Sequence, residues 1–530
     1  FTIENNIIKG VEKIYNIKEK SVGKIILNSF NSNLNHVSQI EAETGKHTTY
    51  AEMKENSIRC ALWLQKQGIK SGDIIVLCTN NHLNSYIPFV ATYFVGAVLN
   101  PWYHEQTIQS ARHFMKLTKP KVIFTINAIV DVLKEAAKLE NVSVTFIIFD
   151  NNSGYESLKN IMAMQRDDEV NNFQIKEVDN PKDFALIMFS SGTTGLPKAV
   201  VHSYRSLLNN LSKYLGSTES NIIFLCYASI YWVSGTLATF QILTTRATRI
   251  FHNKFDPDET CKCIQKFKVS AMLLNTGVIS YLCKSNVLTK YDLSSIESII
   301  IGGSKLSLEI GEEFNKNFHI PLTQVYGMTE IGSAALIQTR EGKHVDSVGF
   351  VVPNVQLKII DLISKEPLGP NKHGELYIKT SATMMDGYYN NEKETKETLD
   401  DEGWLRTGDI AYYSEIGEFF IVDRIKEIIK IHGHHVSPIE IESLLLSHPA
   451  VLEVAVVPVP HKMEIERAMA FIKKTPGFEV TEEELVKMTS QLGDFKTIKG
   501  GIKFLDDMPY TSSGKIDRKK IKEMAKAYAL

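Results

Sequence analysis

An unbroken apolar run, Phe184-Ala-Leu-Ile-Met-Phe189, passes directly into Ser190-Ser-Gly-Thr-Thr-Gly-Leu-Pro-Lys198. An apolar run bounded by turn residues reads as a strand buried on both faces, the kind found inside α/β sheets. The string after it narrows the choice further. Gly192 and Gly195 permit backbone conformations and close approaches that other residues resist. Around them stand the hydroxyls of Ser190, Ser191, Thr193 and Thr194 and the ammonium of Lys198. Successive N–H groups and hydroxyls suit a polyphosphate, and Lys198 offsets part of its charge. This is not a Walker P-loop, because two residues separate Gly195 from Lys198 and Ala199 follows the lysine.

The first 400 residues alternate helical and strand patterns. Tyr50, Met53, Cys60, Ala61 and Leu64 share one helical face, a turn runs from Gly68 to Asp73, and Ile74 to Cys78 reads as a buried strand. The cadence returns at Lys121–Thr125 and Thr145–Asp150, which predicts an α/β architecture. The longest apolar run, Tyr86 to Leu99, contains Pro88 and Gly96 and falls short of the ~20 residues a bilayer span needs, so it predicts a buried core segment.

Near the end the pattern changes. Tyr412-Tyr413, the turn Ser414–Gly417 and Phe419–Val422 predict a β-hairpin. Ser437-Pro438-Ile439-Glu440 predicts a capping box with proline at the first helical position, opening a helix to about Ser447, and Val451–Val457 predicts a strand. Two domains follow: residues 1–422, and a small α+β domain at 423–530.

Lys plus Arg (59) against Asp plus Glu (61) gives a net charge of −2, which speaks against nucleic acid as a partner. Six scattered cysteines without a CxxC pair fit a reduced, intracellular and cytoplasmic setting, and Cys261 and Cys263 read as ordinary helix residues. The final Tyr-Ala-Leu does not spell a Ser-Lys-Leu peroxisomal address, and the first residue, Phe1, leads us to expect a few residues before it.

The 190–198 string resembles the phosphate loop of the adenylate-forming superfamily, which includes acyl-CoA synthetases, 4-coumarate–CoA ligases, insect luciferases and peptide-synthetase adenylation domains. Further segments resemble the family's signatures in the same order. Gly302-Gly303-Ser304 is similar to the loop beside adenine, and Gln324-Val-Tyr326-Gly327-Met328-Thr329-Glu330 to the YGxTE segment. Thr407-Gly-Asp409 is similar to TGD, Asp423-Arg424 through Lys430 to the hinge, and Ser513-Gly-Lys515 to the C-terminal lysine loop. The resemblance implies a large N-terminal domain of layered α/β subdomains with a small β-barrel-like part, and a mobile α+β C-terminal domain.

It also implies roles. Tyr326 stacks on adenine, Asp409 holds the ribose hydroxyls, Thr329 bonds the α-phosphate, and Glu330, with Thr194, meets Mg²⁺ on ATP. Lys515 bridges carboxylate and phosphate during adenylation. Lys430 serves the opposite face of the same small domain after it swings, and Gly433 leaves room for the pantetheine arm of CoA. The acyl pocket falls at Ser229–Gly235, with Tyr231, Trp232, Ser234 and Gly235, and at Ser333.

Three positions depart from the pattern: Ala199 stands for glycine, Trp232 takes the place of a histidine common in ligases and luciferases, and His432-Gly-His-His435 replaces Lys-Gly-aromatic-Gln. With no companion Cys or carboxylate spacing, the histidines do not predict a metal site; they predict weaker, pH-sensitive electrostatics on the CoA side. The expected activity is conversion of a hydrophobic carboxylic acid to acyl-AMP and then to acyl-CoA by a monomer or weak dimer. The open alternative is a luciferase-type monooxygenase that uses O₂ in place of CoA.

Overall fold

The computed structural model describes the chain except residues 16–19, 151–153, 191–196, 215–220, 253–254, 286, 307, 319, 340, 432–433, 462–463, 512–514 and 529–530. Among the described residues the strands form four sheets, of nine, eight, six and five strands. In the eight-stranded sheet, Phe184–Ser190 lies beside Val98–Trp102, followed by Ile74–Cys78, Val122–Thr125 and Thr145–Ile148, all parallel. Every residue of Ile74–Cys78 is buried, as Ile-Ile-Val-Leu-Cys requires when both faces of a parallel sheet are covered. The nine-stranded sheet has a similar parallel centre, with Ser298–Gly302 between Ala271–Asn275 and Leu322–Met328.

Helices Val22–Ser32, Tyr50–Lys66, Tyr86–Phe94 and Val233–Thr245 lie between these two sheets. Their apolar residues share one core with Ile75 and Leu77 of one sheet and Phe224 and Cys226 of the other. Tyr50–Lys66 starts where Thr49 and Glu52 satisfy each other's backbone N–H groups, and Tyr50, Met53, Cys60, Ala61 and Leu64 are all buried. The Tyr86–Leu99 run divides at Gly96 (φ +70) into the helix Tyr86–Phe94 and the strand Val98–Trp102, both buried. A second core fills the outer face of the eight-stranded sheet beneath Ile108–Thr118 and Asn127–Leu139. A third lies beneath Pro257–Phe267, Thr276–Ser285 and Leu308–Phe318 on the nine-stranded sheet. The six cysteines are free and buried, Cys261 and Cys263 within Pro257–Phe267. No described helix is long and apolar enough to cross a membrane.

The third sheet is antiparallel and runs from Thr2–Glu4 through Ile7–Lys9, Val355–Ile360, Gly374–Thr380 and Leu405–Tyr413 to Phe419–Arg424. Its last hairpin turns at Ser414–Gly417, with Tyr413 opposite Phe419, and its final strand extends through Arg424. The five-stranded sheet draws all its strands from residues after Arg424, with Val451–His461 paired to Ile465–Lys474.

One local expectation is corrected here. The helix Pro438–Leu446 begins at Ser437 as predicted, but Ser437 forms no side-chain cap. Its hydroxyl instead donates to the Asp423 carboxylate at 2.5 Å, and the same carboxylate accepts the Ile439 N–H at 3.3 Å. Glu440 turns outward to Lys496 at 2.6 Å. A carboxylate is a stronger acceptor than a hydroxyl for orphan N–H groups at the positive end of a helix, so Asp423 caps it from the preceding sheet. A second tie comes from Lys284, whose ammonium donates to the carbonyls of Leu446, at 3.2 Å, and Val451.

Candidate active site

The parallel strands of both large sheets deliver the motif residues at their carboxyl ends, the usual position for ligand crevices in open α/β sheets. Gly302-Gly303-Ser304 follows the strand Ser298–Gly302, and Thr329-Glu330 follows Leu322–Met328. From the six-stranded sheet Asp409 faces the same region, directly opposite Arg424 in the hairpin.

Asp409 is 3% exposed and accepts from the Tyr326 hydroxyl at 2.6 Å and from Arg424 Nε at 2.9 Å. Its turn is built from within. The Thr407 hydroxyl donates to the Leu376 carbonyl at 2.7 Å and accepts the Asp409 N–H at 3.0 Å, while Gly408 (φ +70) donates its N–H to Glu375 at 3.1 Å. A carboxylate offers about four lone-pair positions, so two contacts leave Asp409 with acceptor capacity. Burial, then Asp409, push the Tyr326 phenol far above its usual pKa, so it remains a donor.

Lys515 reaches this cluster from the far end of the chain. A Cβ placed on Gly303 (φ +88) would lie 3.4 Å from Lys515 Cε and 3.7 Å from Nζ, so the lysine crosses the bare backbone of that loop. Lys515 keeps solvent-exposed surface, yet it lies close enough to the protein groups around it for them to act on its charge. Burial, then the Arg424 guanidinium, lower its pKa to about 8, and Asp409 pulls in the opposite direction. The Lys515 carbonyl accepts the Thr511 N–H at 2.7 Å.

Glu330 is 7% exposed and accepts the Tyr388 hydroxyl on Oε1 at 3.0 Å. Its carbonyl accepts the Met385 N–H at 2.8 Å, and the preceding Thr329 carbonyl lies 2.8 Å from His202 Nε2. Burial lowers the His202 pKa, which favours the neutral ring with Nε2–H as donor.

The chain as a whole is similar to proteins already known. The sequence model of the AMP-binding enzyme family matches residues 29–389, and that of the AMP-binding enzyme C-terminal domain matches 440–515. The chain is an adenylate-forming, AMP-binding enzyme. It is 33% identical to the luciferin 4-monooxygenase of Nipponoluciola cruciata, with 99% of this chain and 98% of that protein covered. It is also 33% identical to 4-coumarate–CoA ligase 3 of Arabidopsis thaliana, with 91% and 87% covered. The crystal structure of ATP-bound MatB from Rhodopseudomonas palustris superposes with a TM-score of 0.84 at 25% identity, covering 95% of this chain and 99% of that one.

The remaining expected site residues of this AMP-binding enzyme have the following surroundings. Gln324 is buried, and its amide nitrogen donates to the carbonyls of Val345, at 2.6 Å, and Ser347, at 2.9 Å, so it holds the 343–347 loop. Ser333 is buried against the Thr383 hydroxyl at 3.1 Å. Lys198 sits at the start of its strand, paired with Glu394 at 2.6 Å and 5.0 Å from the centre of the Tyr388 ring. Lys430 is exposed in the small domain, its N–H donated to Glu466 at 2.7 Å, and no described contact joins it to Asp409, Tyr326 or Glu330. Ser191, Gly192, Thr193, Thr194, Gly195 and Gly433 lie outside the described residues.

The acyl segment is compact. Tyr231 is buried, Trp232 half-buried and Ser234 exposed at the head of the helix Val233–Thr245. The Tyr231 and Trp232 rings meet edge to face at 4.5 Å, and Tyr103 lies 5.8 Å from Tyr231. At Gly235 a Cβ would fall 2.0 Å from the Ser229 carbonyl oxygen, so the turn admits no side chain.

Among the described residues no group of three His, Cys, Asp or Glu side chains gathers as a metal cage. Glu330 nevertheless suits Mg²⁺: it is a single carboxylate with Oε1 fixed by Tyr388 and Oε2 without a hydrogen bond among the described residues. Mg²⁺ on a nucleotide commonly takes only one or two protein carboxylates and completes its shell with phosphates and water. Sequence reasoning did not find Tyr388, His202, Glu394 or Tyr103. Each acts through a long-range pairing, and none lies within the motif segments that the sequence singles out.

Proposed function

We propose that this protein uses ATP to convert a hydrophobic carboxylic acid to its acyl-AMP, releasing pyrophosphate, and then transfers the acyl group to CoA. The observation that carries the reading is the approach of Lys515 to Asp409, Arg424 and Gly303, which gathers cation, carboxylate and loop from three parts of the chain. In the first half-reaction a carboxylate oxygen attacks the α-phosphorus of ATP while the bond to pyrophosphate breaks. Both reactants are anionic, so orientation and positive charge lower the barrier. Lys515 supplies charge between them, the Thr329 hydroxyl bonds the α-phosphate, Asp409 accepts from the ribose hydroxyls, and Tyr326 packs on adenine. Bound on Glu330, Mg²⁺ would neutralise phosphate charge.

For the second half-reaction the small domain that follows Arg424 turns on the hinge there and presents the face bearing Lys430 and Gly433 in place of Lys515. Likeness to a 4-coumarate–CoA ligase supports CoA as acceptor, and the Tyr103–Tyr231–Trp232 aromatic cluster supports a hydrophobic acid. We place the enzyme inside the cell, as a monomer or weak dimer. Likeness to a luciferin 4-monooxygenase over 99% of the chain favours a second reading, in which O₂ oxidises the adenylate and light is emitted.

The test is incubation with ATP, Mg²⁺ and a panel of aryl and fatty acids, with and without CoA, followed by mass spectrometry and photon counting with candidate luciferins. Acid-dependent pyrophosphate and acyl-CoA are expected. Pyrophosphate without thioester refutes the CoA step, and light with a luciferin favours the second reading.

A further inference from the structure

We propose that Tyr388 is a positioning residue that aims the Glu330 carboxylate and ties it to the strand leaving the phosphate loop. The inference rests on the adenylation half of the reading above and is independent of the thiol acceptor. Gly387–Tyr388 is a two-residue strand at the edge of the eight-stranded sheet, antiparallel to Lys198–Ser203, with Tyr388 opposite Val200. Its backbone is pinned. Gly387 adopts φ +133, the Thr395 side chain lies 3.0 Å from where a Cβ would stand, and the Tyr388 N–H donates to the Thr395 hydroxyl at 2.9 Å.

From this support the side chain touches both functional groups. The ring underlies the Lys198 ammonium at 5.0 Å, while Glu394 takes that ammonium at 2.6 Å. The hydroxyl reaches Glu330 Oε1 at 3.0 Å and leaves Oε2 available. The residue is only 8% exposed, so water competes weakly for the phenol. Burial and the Glu330 charge both raise its pKa, and it stays a protonated donor at any working pH. The ring itself fills a core with Val200, Ile331 and Met385. Phenylalanine would keep that packing and lose only the donor, so the hydroxyl's contribution separates cleanly from the ring's.

The experiment measures Mn²⁺ binding to the protein–ATP complex by electron paramagnetic resonance in the parent, Y388F, E330Q and the double variant. Thermal midpoints are recorded without nucleotide. We expect Y388F to weaken Mn²⁺ binding about tenfold, the scale of one hydrogen bond to a charged group, with a midpoint within roughly 2 °C of the parent. In the E330Q background Y388F should weaken binding no further, because the hydroxyl acts through that carboxylate. Parent-like binding in Y388F beside weakened binding in E330Q overturns the inference, as does a full tyrosine effect that persists in E330Q. A ligand-free midpoint lowered well beyond that range overturns it in favour of packing. Parent-like binding in E330Q overturns the placement of the metal on Glu330, and the inference with it.

Discussion

Raising the pH should switch off acyl-adenylate formation well before an ordinary lysine would titrate. Burial and Arg424 hold Lys515 at a pKa of about 8, against 10.5 for the free side chain. The reaction needs the ammonium, so the rate should fall as pH rises through 8, about tenfold for each further unit. At pH 9 roughly one tenth of the molecules would keep that charge, whereas an unshifted lysine would remain almost wholly charged. The kcat/KM for ATP in acid-dependent pyrophosphate release without CoA, followed from pH 6.5 to 10 at limiting ATP, measures this limb, because it reports the groups of the free enzyme rather than those beside bound phosphates. Lys515→Arg supplies the control. Its guanidinium stays charged throughout, so the variant should be slower at neutral pH but lose the alkaline limb. A parent rate that stays flat to pH 9.5, or a limb unchanged in Lys515→Arg, would show that another group titrates and that Lys515 does not act as the proposed cation.

Other outcomes follow from the same geometry. The folded chain holds the Lys515 proton less tightly than the unfolded chain, so this group adds stability as pH rises between about 8 and 10.5; the parent's melting midpoint should gain on that of Lys515→Met across that window. Gly303→Ala forces a side chain into φ +88 and toward Lys515, and should cost about 1 kcal/mol of stability in denaturant melts as well as adenylation rate. Gly235→Ala would drive a methyl to 2.0 Å from the Ser229 carbonyl, with an expected loss of about 3 kcal/mol measured the same way. Lys284→Met removes the ammonium that holds the Leu446 and Val451 carbonyls, and should speed proteolysis at the hinge near residue 425.

Elements governed by local pattern were legible from the residues. Ile74–Cys78 is a buried strand because five apolar residues leave no face for water, and the five residues expected on one face of Tyr50–Lys66 are all inside. Pairings between distant segments were not. The predicted capping box at Ser437 yields to Asp423, which arrives through the hinge and brings a full charge. Gln324 lies within its motif, yet its amide is drawn to the carbonyls of Val345 and Ser347 on a neighbouring loop. In the candidate site the motif order marked Asp409, Tyr326, Glu330 and Lys515, and the structure brings Asp409, Tyr326, Arg424 and Lys515 together. Tyr388, 58 residues beyond Glu330, carries no sequence mark because its role exists only once an edge strand has paired with Lys198–Ser203.

Acid-dependent exchange of labelled pyrophosphate into ATP, compared between the parent and Lys515→Ala, tests the central claim most directly. The account predicts exchange with at least one hydrophobic acid in the parent and a fall on the order of 10²–10³ in the variant, the usual scale for losing one preorganised charge. Equal exchange in the two proteins would contradict it.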